Sequence, residues 1–404
     1  MGDIMNKRII FMGPLYPRDE ENRIKDQMRS SISNAPNVFQ WNLIDGLTAI
    51  HSEGVEIINV LPIGIWPREY KALFLRNREW KSENLSGREI GCINLPFIKQ
   101  YMRTNGARKV LKRTLNDDNV EIIIYSTYLP FLKAIYDLNI KSKVTLIVTD
   151  LPEFYDLKQT SWLKRKLRAI NNKLIYKYMS RVDRFIVLTE HMPARLNVEN
   201  RPWICVEGIA TNKANNSCEI NNKIGKAILY TGSLNYKFGI KNLIDAFEML
   251  DDPDLELWIC GGGEAEEEIR EISKLNSQIK FFGFCTLDQV SDFQRRAMIL
   301  INPRTNEGEY TKYSFPSKTM EYMLTGKPVI MYKLDGIPDE YDKFLFYVEQ
   351  NSKNEAVNLR EIIKKVLLDY DNSVDKAAKG KQFVIENKTG EKQAEKILDF
   401  INNN

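Results

Sequence analysis

Histidine is nearly absent: the 404 residues include only His51 and His191. A Ser-His-Asp triad or a histidine-built metal centre would have little to work with, so both classes drop out early. Cysteine is sparse too. Cys92, Cys205, Cys218, Cys260 and Cys285 form no CxxC pair and leave an odd total, which reads as buried or free thiols in a reducing compartment. No apolar run reaches the roughly 18–20 residues that a membrane-spanning helix needs. Met1 to Lys7 also lacks the apolar core of a signal peptide. These absences predict a cytoplasmic chain. Phosphate and nucleophile motifs are missing as well. There is no P-loop, GxSxG or HExxH, and Met12-Gly13-Pro14-Leu15-Tyr16-Pro17 is not a dinucleotide-binding GxGxxG.

What is present points to two α/β domains. Hydrophobic residues make up 43% and charged residues 28% of the chain, the balance of a globular protein too long for one ordinary core. Short apolar runs at 8–12, 55–60, 121–125, 144–148 and 184–188 alternate with helical patterns such as Phe39, Leu43, Leu47 and Ile50. Buried strands separated by helices predict a parallel sheet covered on both faces. Residues 209–225 are polar and asparagine-rich and read as a linker. A second strand series follows at 227–230, 255–260, 279–282, 298–301 and 328–331. The predicted layout is a Rossmann-like domain over 1–208, the linker, a second Rossmann-like domain over 226–388, and a closing helix in 389–404. Its apolar face would be Ala394, Ile397 and Ile401. Doubly wound sheets bind ligands at the carboxyl ends of their strands, so a tandem pair predicts a cleft between domains.

The most informative stretch runs from Tyr313 to Ile330 and begins Tyr313-Ser314-Phe315-Pro316-Ser317-Lys318-Thr319-Met320-Glu321. Ser314 is suited to cap a helix, Pro316 to sit early in it, and Gly326 to stop it before a buried strand. Free N–H groups near Phe315 to Lys318, with the Lys318 charge, predict an anion site. Glu321, one turn further in, could accept both hydroxyls of a vicinal diol. Together these match a nucleotide's diphosphate and ribose.

This segment resembles the donor-site signature of glycosyltransferase family four, retaining enzymes of the GT-B fold. In that family two glutamates stand with seven residues between them, before a Gly-Lys/Arg-Pro-Val segment. Glu321 matches the second glutamate, which binds ribose there. The first, which contacts the donor there, falls on Tyr313 here, a departure. The Ser-Phe-Pro-Ser-Lys wording is similar to a bacterial subgroup making capsule and O-antigen sugars. A second match is Tyr230-Thr231-Gly232-Ser233-Leu234-Asn235-Tyr236-Lys237-Phe238-Gly239. It is similar to the family turn where a basic residue meets the diphosphate, and Lys237 matches that residue. Ser233 stands where many members have Arg, so Lys237 and Lys318 share the compensation. A third match, Ile279 to Cys285, resembles the strand and glycine turn that frames the base, with Phe284 and Cys285 as base neighbours.

In the N-terminal half the likeness is one of layout. Asp150 and Glu153 follow a strand where the family often has a His-Asp pair, and either is a candidate to orient or deprotonate an acceptor hydroxyl. Gly13 could let backbone approach the donor phosphates or serve a plain turn. Between 161 and 184, eight basic residues face one acid, and Leu163, Leu167, Ile170, Leu174 and Tyr178 keep helical spacing. A cationic amphipathic helix suits a solvated face or an anionic membrane surface. No nucleic-acid motif accompanies it.

The resemblance therefore implies a UDP-, GDP- or dTDP-sugar donor, a saccharide or lipid-linked acceptor, retention of configuration, and neither metal nor cofactor. The implied catalytic groups are Asp150, Glu153, Lys237 and Lys318. A peripheral place on the inner face of the cell membrane is expected. Two alternatives stay open: a sugar-nucleotide epimerase on the same fold, and a non-catalytic nucleotide-sugar-binding subunit.

Overall fold

The computed structural model describes residues 7–29, 35–82, 84–115, 119–154, 162–211, 225–349 and 352–404. Most of the expected linker, together with Ser161, lies outside them. The chain divides into two compact units, one of 1–209 with 389–404 and one of 210–388.

Unit 1 begins with β1 (Arg8–Pro14), α1 (Glu21–Gln27), α2 (Ala35–Ile50) and β2 (Val55–Val60). Next come β3 (Phe74–Leu75), β4 (Arg78–Ser82), β5 (Leu85–Glu89), β6 (Cys92–Ile93) and α3 (Ile98–Thr114). The rest of the layer is β7 (Val120–Tyr125), α4 (Leu129–Leu138), β8 (Val144–Val148), α5 (Trp162–Met179), β9 (Arg184–Val187), α6 (Met192–Leu196) and β10 (Trp203–Cys205). The main sheet runs β10-β9-β8-β7-β1-β2-β5-β4, with β4 antiparallel to β5 and every other neighbour parallel. All six residues of β7 and all five of β8 are buried, as continuous apolar strands between two helical layers must be.

Unit 2 contains β11 (Ala227–Ser233), α7 (Ile240–Glu248), β12 (Glu256–Gly262), α8 (Glu266–Leu275), β13 (Ile279–Gly283) and α9 (Leu287–Arg296). It continues with β14 (Ile299–Asn302), α10 (Lys318–Met323), β15 (Val329–Met331), β16 (Phe346–Tyr347), α11 (Glu355–Leu368) and α12 (Tyr370–Asn387). Its wholly parallel sheet runs β13-β12-β11-β14-β15-β16. Local sequence explains several boundaries. Thr286 and Gln289 exchange side-chain-to-backbone bonds at the start of α9, a complete capping box. Asn354 caps α11 by accepting from Ala356 and Val357.

The cationic helix is α5, and it splits into two halves. Ile175, Tyr178 and Met179 are buried in unit 1, whereas Trp162, Leu167 and Ile170 are 68%, 46% and 49% exposed. The even apolar stripe read from the sequence is therefore buried only toward its C-terminal end. No described helix is long and apolar enough to cross a membrane.

The last helix, α13 (Gly390–Asn402), returns to unit 1 and packs on α2. Ala394, Ile397 and Ile401 join the unit 1 core, and Thr389 caps the helix by accepting from Lys392 N. The two helices cross backbone to backbone. A methyl group at Gly46 would overlap the Gly390 carbonyl, and one at Gly390 would overlap the Asn42 carbonyl. Ordinarily Gly→Ala inside a helix stabilises by roughly 0.5–1 kcal/mol. Here Gly46→Ala forces the helices apart and should destabilise unit 1 by about 1–3 kcal/mol. Calorimetry of the full chain checks the sign, since a raised midpoint would mean that the crossing tolerates a side chain.

Candidate functional site

In order of appearance, the unit 2 strands are arranged 3-2-1-4-5-6, so the winding reverses between β11 and β14. The carboxyl ends of the strands at such a reversal diverge and leave a crevice. Around that point lie the last residues of β11, the 3-10 turn Tyr236–Phe238, the chain after β14, and α10.

One fully buried tyrosine holds α10 there. The Tyr322 hydroxyl accepts from Thr231 N at 3.0 Å, lies 3.0 Å from Thr231 Oγ1 and 3.3 Å from Thr231 O. Burial pushes the phenol well above its ordinary pKa, so it stays a neutral donor and acceptor. With Tyr322 turned inward, Lys318 lies against the end of β11. A Cβ at Gly232, whose φ is +150°, would come within 2.7 Å of Lys318 Nζ. Only glycine leaves that space and adopts that backbone without strain. Burial lowers the Lys318 pKa, and Glu321 and Cys260 oppose the shift. Its ammonium is thus partly stripped of water. The exposed carboxylate of Glu321 accepts from Gln294 Nε2 of α9 at 2.5 Å.

The remaining candidates of unit 2 fall on three loops. Ser233 is exposed and its Oγ accepts from Asn235 at 2.7 Å, while Lys237 is exposed with Nζ 5.0 Å from the centre of the Phe238 ring. Phe284 is 86% exposed beyond β13. Cys285 Sγ lies 3.6 Å from the Gly283 carbonyl and beside the Cys260 thiol. Tyr313 ends the 3-10 turn Glu309–Tyr313 and donates to Glu309 at 3.3 Å. Ser317 is exposed, and Phe315 is buried against Tyr341.

The helix start differs from the sequence reading. Ser314 is extended, at φ −139° and ψ 138°, and its hydroxyl accepts from Arg304 at 3.1 Å. Ser314 is therefore not the cap. Pro316 disfavours helical geometry at Phe315, so α10 opens only at Lys318, after Ser317. Pro316 stays outside and supplies a carbonyl to Thr319 N. At six residues, α10 offers little aligned dipole. The positive charge there belongs to the lysine side chains instead.

Three contributors were not recognised in the sequence: Gln294, Tyr322 and Arg304. Gln294 and Tyr322 look like ordinary helix residues until the helices pack. Arg304 did carry a signal, a charged residue directly after the apolar run Ile299–Asn302 and Pro303.

In unit 1, Gly13 lies within β1 opposite Asn59 instead of in a turn. The space above it holds the Gln40 amide, which donates to the Pro14 carbonyl. Asp150 follows the carboxyl end of β8. Desolvation there pushes its carboxyl above the usual range, opposed by a bond from Thr149 Oγ1. Glu153 accepts from the Tyr176 hydroxyl of α5 at 2.8 Å, so one of its oxygens is already committed.

Removing the Tyr322 hydroxyl strands Thr231 N–H and Oγ1 in the core. Tyr322→Phe should cost about 1–3 kcal/mol of unit 2 stability, the range for a buried polar group left unpaired. Denaturant titration monitored on unit 2 reads this directly, and an unchanged midpoint would show that α10 is held by packing alone.

Residues 225–365 match the family model of the group 1 glycosyl transferases. No curated protein matches the chain. Solved structures share its fold from end to end. Sucrose-phosphate synthase from Thermosynechococcus elongatus is similar at TM-score 0.66 and 14% identity, over 98% of this chain and 99% of that one. Anabaena HepE, in a complex with UDP, is similar at TM-score 0.63 and 12% identity, over 98% and 100%. An α,α-trehalose 6-phosphate synthase from Burkholderia multivorans is similar at TM-score 0.65 and 10% identity, over 98% and 96%. The fold is GT-B, and the group 1 match within unit 2 supports a glycosyltransferase.

Proposed function

We propose that the protein is a retaining, metal-independent glycosyltransferase of the family-four type. Unit 2 binds the nucleotide-sugar donor and unit 1 the acceptor. The observation that carries this reading is Lys318 stacked over the glycine end of β11, with Glu321 beside it, at the winding reversal of unit 2. Lys318 and Lys237 take the diphosphate, and Glu321 takes the ribose hydroxyls. Phe284 and Cys285 border the base. The similarity to a UDP-bound structure favours a uridine donor among UDP-, GDP- and dTDP-sugars.

In the reaction the bond from the anomeric carbon to the diphosphate oxygen breaks, and a bond to an acceptor hydroxyl forms with the same configuration. Negative charge grows on the departing diphosphate, where fixed cations in a partly dehydrated site act most strongly. The hydroxyl proton passes to a base. Asp150 is the better candidate, because it is exposed just beyond β8 whereas Glu153 is tied to Tyr176. A saccharide or lipid-linked acceptor in cell-surface polysaccharide synthesis fits the subgroup wording around Ser314 to Lys318. The exposed apolar and cationic half of α5 fits a protein working on the inner membrane surface.

A thermal-shift screen with UDP, GDP, dTDP and ADP identifies the nucleotide. Glu321→Gln should then lower affinity for the preferred ribonucleotide by roughly 1.5–3 kcal/mol, the worth of a charge-assisted bond. Its 2′-deoxy analogue should bind wild type more weakly but lose little more in the variant. Equal discrimination of the 2′-hydroxyl by both proteins would remove Glu321 from the ribose site.

For α5, Lys164, Arg165, Lys166 and Arg168 changed together to Gln should release the protein from acidic liposomes, since each charge near such a surface contributes about 1 kcal/mol. Nucleotide binding should persist. Co-sedimentation at low salt decides, and equal binding by both forms would leave the charges as a solvated face.

A further inference from the structure

We propose that Arg304 is a third cation of the diphosphate site, supplied from β14 where Ser233 leaves the end of β11 without one. The inference rests on the donor-site reading above and adds a residue to it. Arg304 stands two residues beyond β14, the neighbour of β11 across the winding reversal. The Gly239 backbone packs directly on the Pro303 carbonyl, which brings the Lys237 turn and Arg304 together. The Arg304 guanidinium lies 5.7 Å from the centre of the Phe238 ring and 4.7 Å from that of Tyr310. Lys237 Nζ lies 5.0 Å from the same Phe238 ring. One aromatic side chain therefore spaces two cations at one end of the sheet.

The bonding of Arg304 is incomplete. One terminal nitrogen donates to Ser314 Oγ at 3.1 Å. Its Nε is buried without a partner, and among the described residues no carboxylate pairs with it within 4.0 Å. Burial lowers its pKa, opposed by the charge of Tyr310 and by a side-chain hydrogen bond with it. An arginine keeps its charge under physiological conditions, so this is a partly dehydrated cation with no counter-ion. Such an arrangement costs stability unless an anion arrives to offset it. Bonds to serine and tyrosine hydroxyls need no charge; a planar fork with a buried, unpaired Nε fits the adjacent oxygens of a diphosphate. The aromatic rings fix the plane of the fork before the ligand binds. At the end of β11, Ser233 carries only a short hydroxyl engaged with Asn235, so the guanidinium reaches the crevice from the next strand instead.

The test uses inorganic pyrophosphate, the part shared by every nucleoside diphosphate, titrated calorimetrically into the full chain. Arg304→Gln should weaken pyrophosphate and the preferred nucleoside diphosphate by about 10- to 100-fold, the range for a charge-assisted bond. Binding of the matching nucleoside should change little. Arg304→Lys keeps the charge without the fork and should fall between the two; it also serves if the Gln variant does not fold. Unchanged pyrophosphate binding in either folded variant would reduce Arg304 to a clip for Ser314. Equal losses for nucleoside and pyrophosphate would make it a scaffold residue, which also overturns the proposal. If wild type binds neither pyrophosphate nor any nucleoside diphosphate, the donor-site reading fails with it. That result is distinct from a wild type that binds and a variant that binds equally well.

Discussion

The contact between Tyr322 and Thr231 is the interaction on which the candidate site depends. An isolated helix of six residues has no stability of its own, because nucleation costs more than so few bonds return. Helix α10 persists because its inward face is buried and because the Tyr322 hydroxyl is bonded to the backbone and side chain of Thr231. The same contact sets the rotation of the helix. With Tyr322 and Thr319 inward, Lys318 falls beside Gly232 and Glu321 emerges beside α9. Changing that rotation would separate the lysine from the strand end that it covers.

Around this anchor the candidate site gathers positive charge. Lys318 and Arg304 are both partly dehydrated, and burial shifts both away from their charged forms. Such shifts cluster where a protein is shaped for a ligand as well as in structural ion pairs. The interior of unit 1 gives the contrast. Arg184 is buried at the start of β9 but bonded to Glu121 at 2.8 Å and lies 3.3 Å from Thr145 Oγ1. That network holds three neighbouring strands together and asks for no external anion. Among the described residues Arg304 has no carboxylate within ion-pair distance and Lys318 has the nearby charge of Glu321, so the proposed diphosphate would complete a set that the protein leaves open.

Unit 1 divides its polar groups differently. Glu153 is spent in fixing α5 through Tyr176, while Asp150 accepts a bond from Thr149. Helix α5 is thereby moored at its C-terminal half and presents tryptophan, leucine and isoleucine among its lysines at the other end. Amphipathic side chains of this kind lie comfortably at a lipid surface, where apolar bodies are covered and charges remain wet. A glycosyltransferase with a lipid-linked acceptor would have a use for that arrangement.

Much of this architecture was legible in the residues themselves. Continuous runs such as Glu121–Tyr125 and Val144–Val148 determine buried parallel strands, because their length and apolar character fit no other place in an α/β layer. The polar break after residue 208, and the repeat of the pattern beyond it, determine two such layers. The Ser-Phe-Pro-Ser-Lys segment and Glu321 lie where the proposed donor site is built. Strands β4, β5, β10 and β16 were not legible. They are short or polar, and pairing with a neighbour rather than their own periodicity makes them strands. Tertiary structure alone decided the start of α10, where an arginine from β14 takes the hydroxyl of Ser314 and proline delays the helix. It alone brought Gln294 to Glu321 and Arg304 to Phe238, across 27 residues in the first case. Local sequence carries propensity and period. The meeting of distant side chains depends on strand order, and strand order is set only when the whole sheet closes its core.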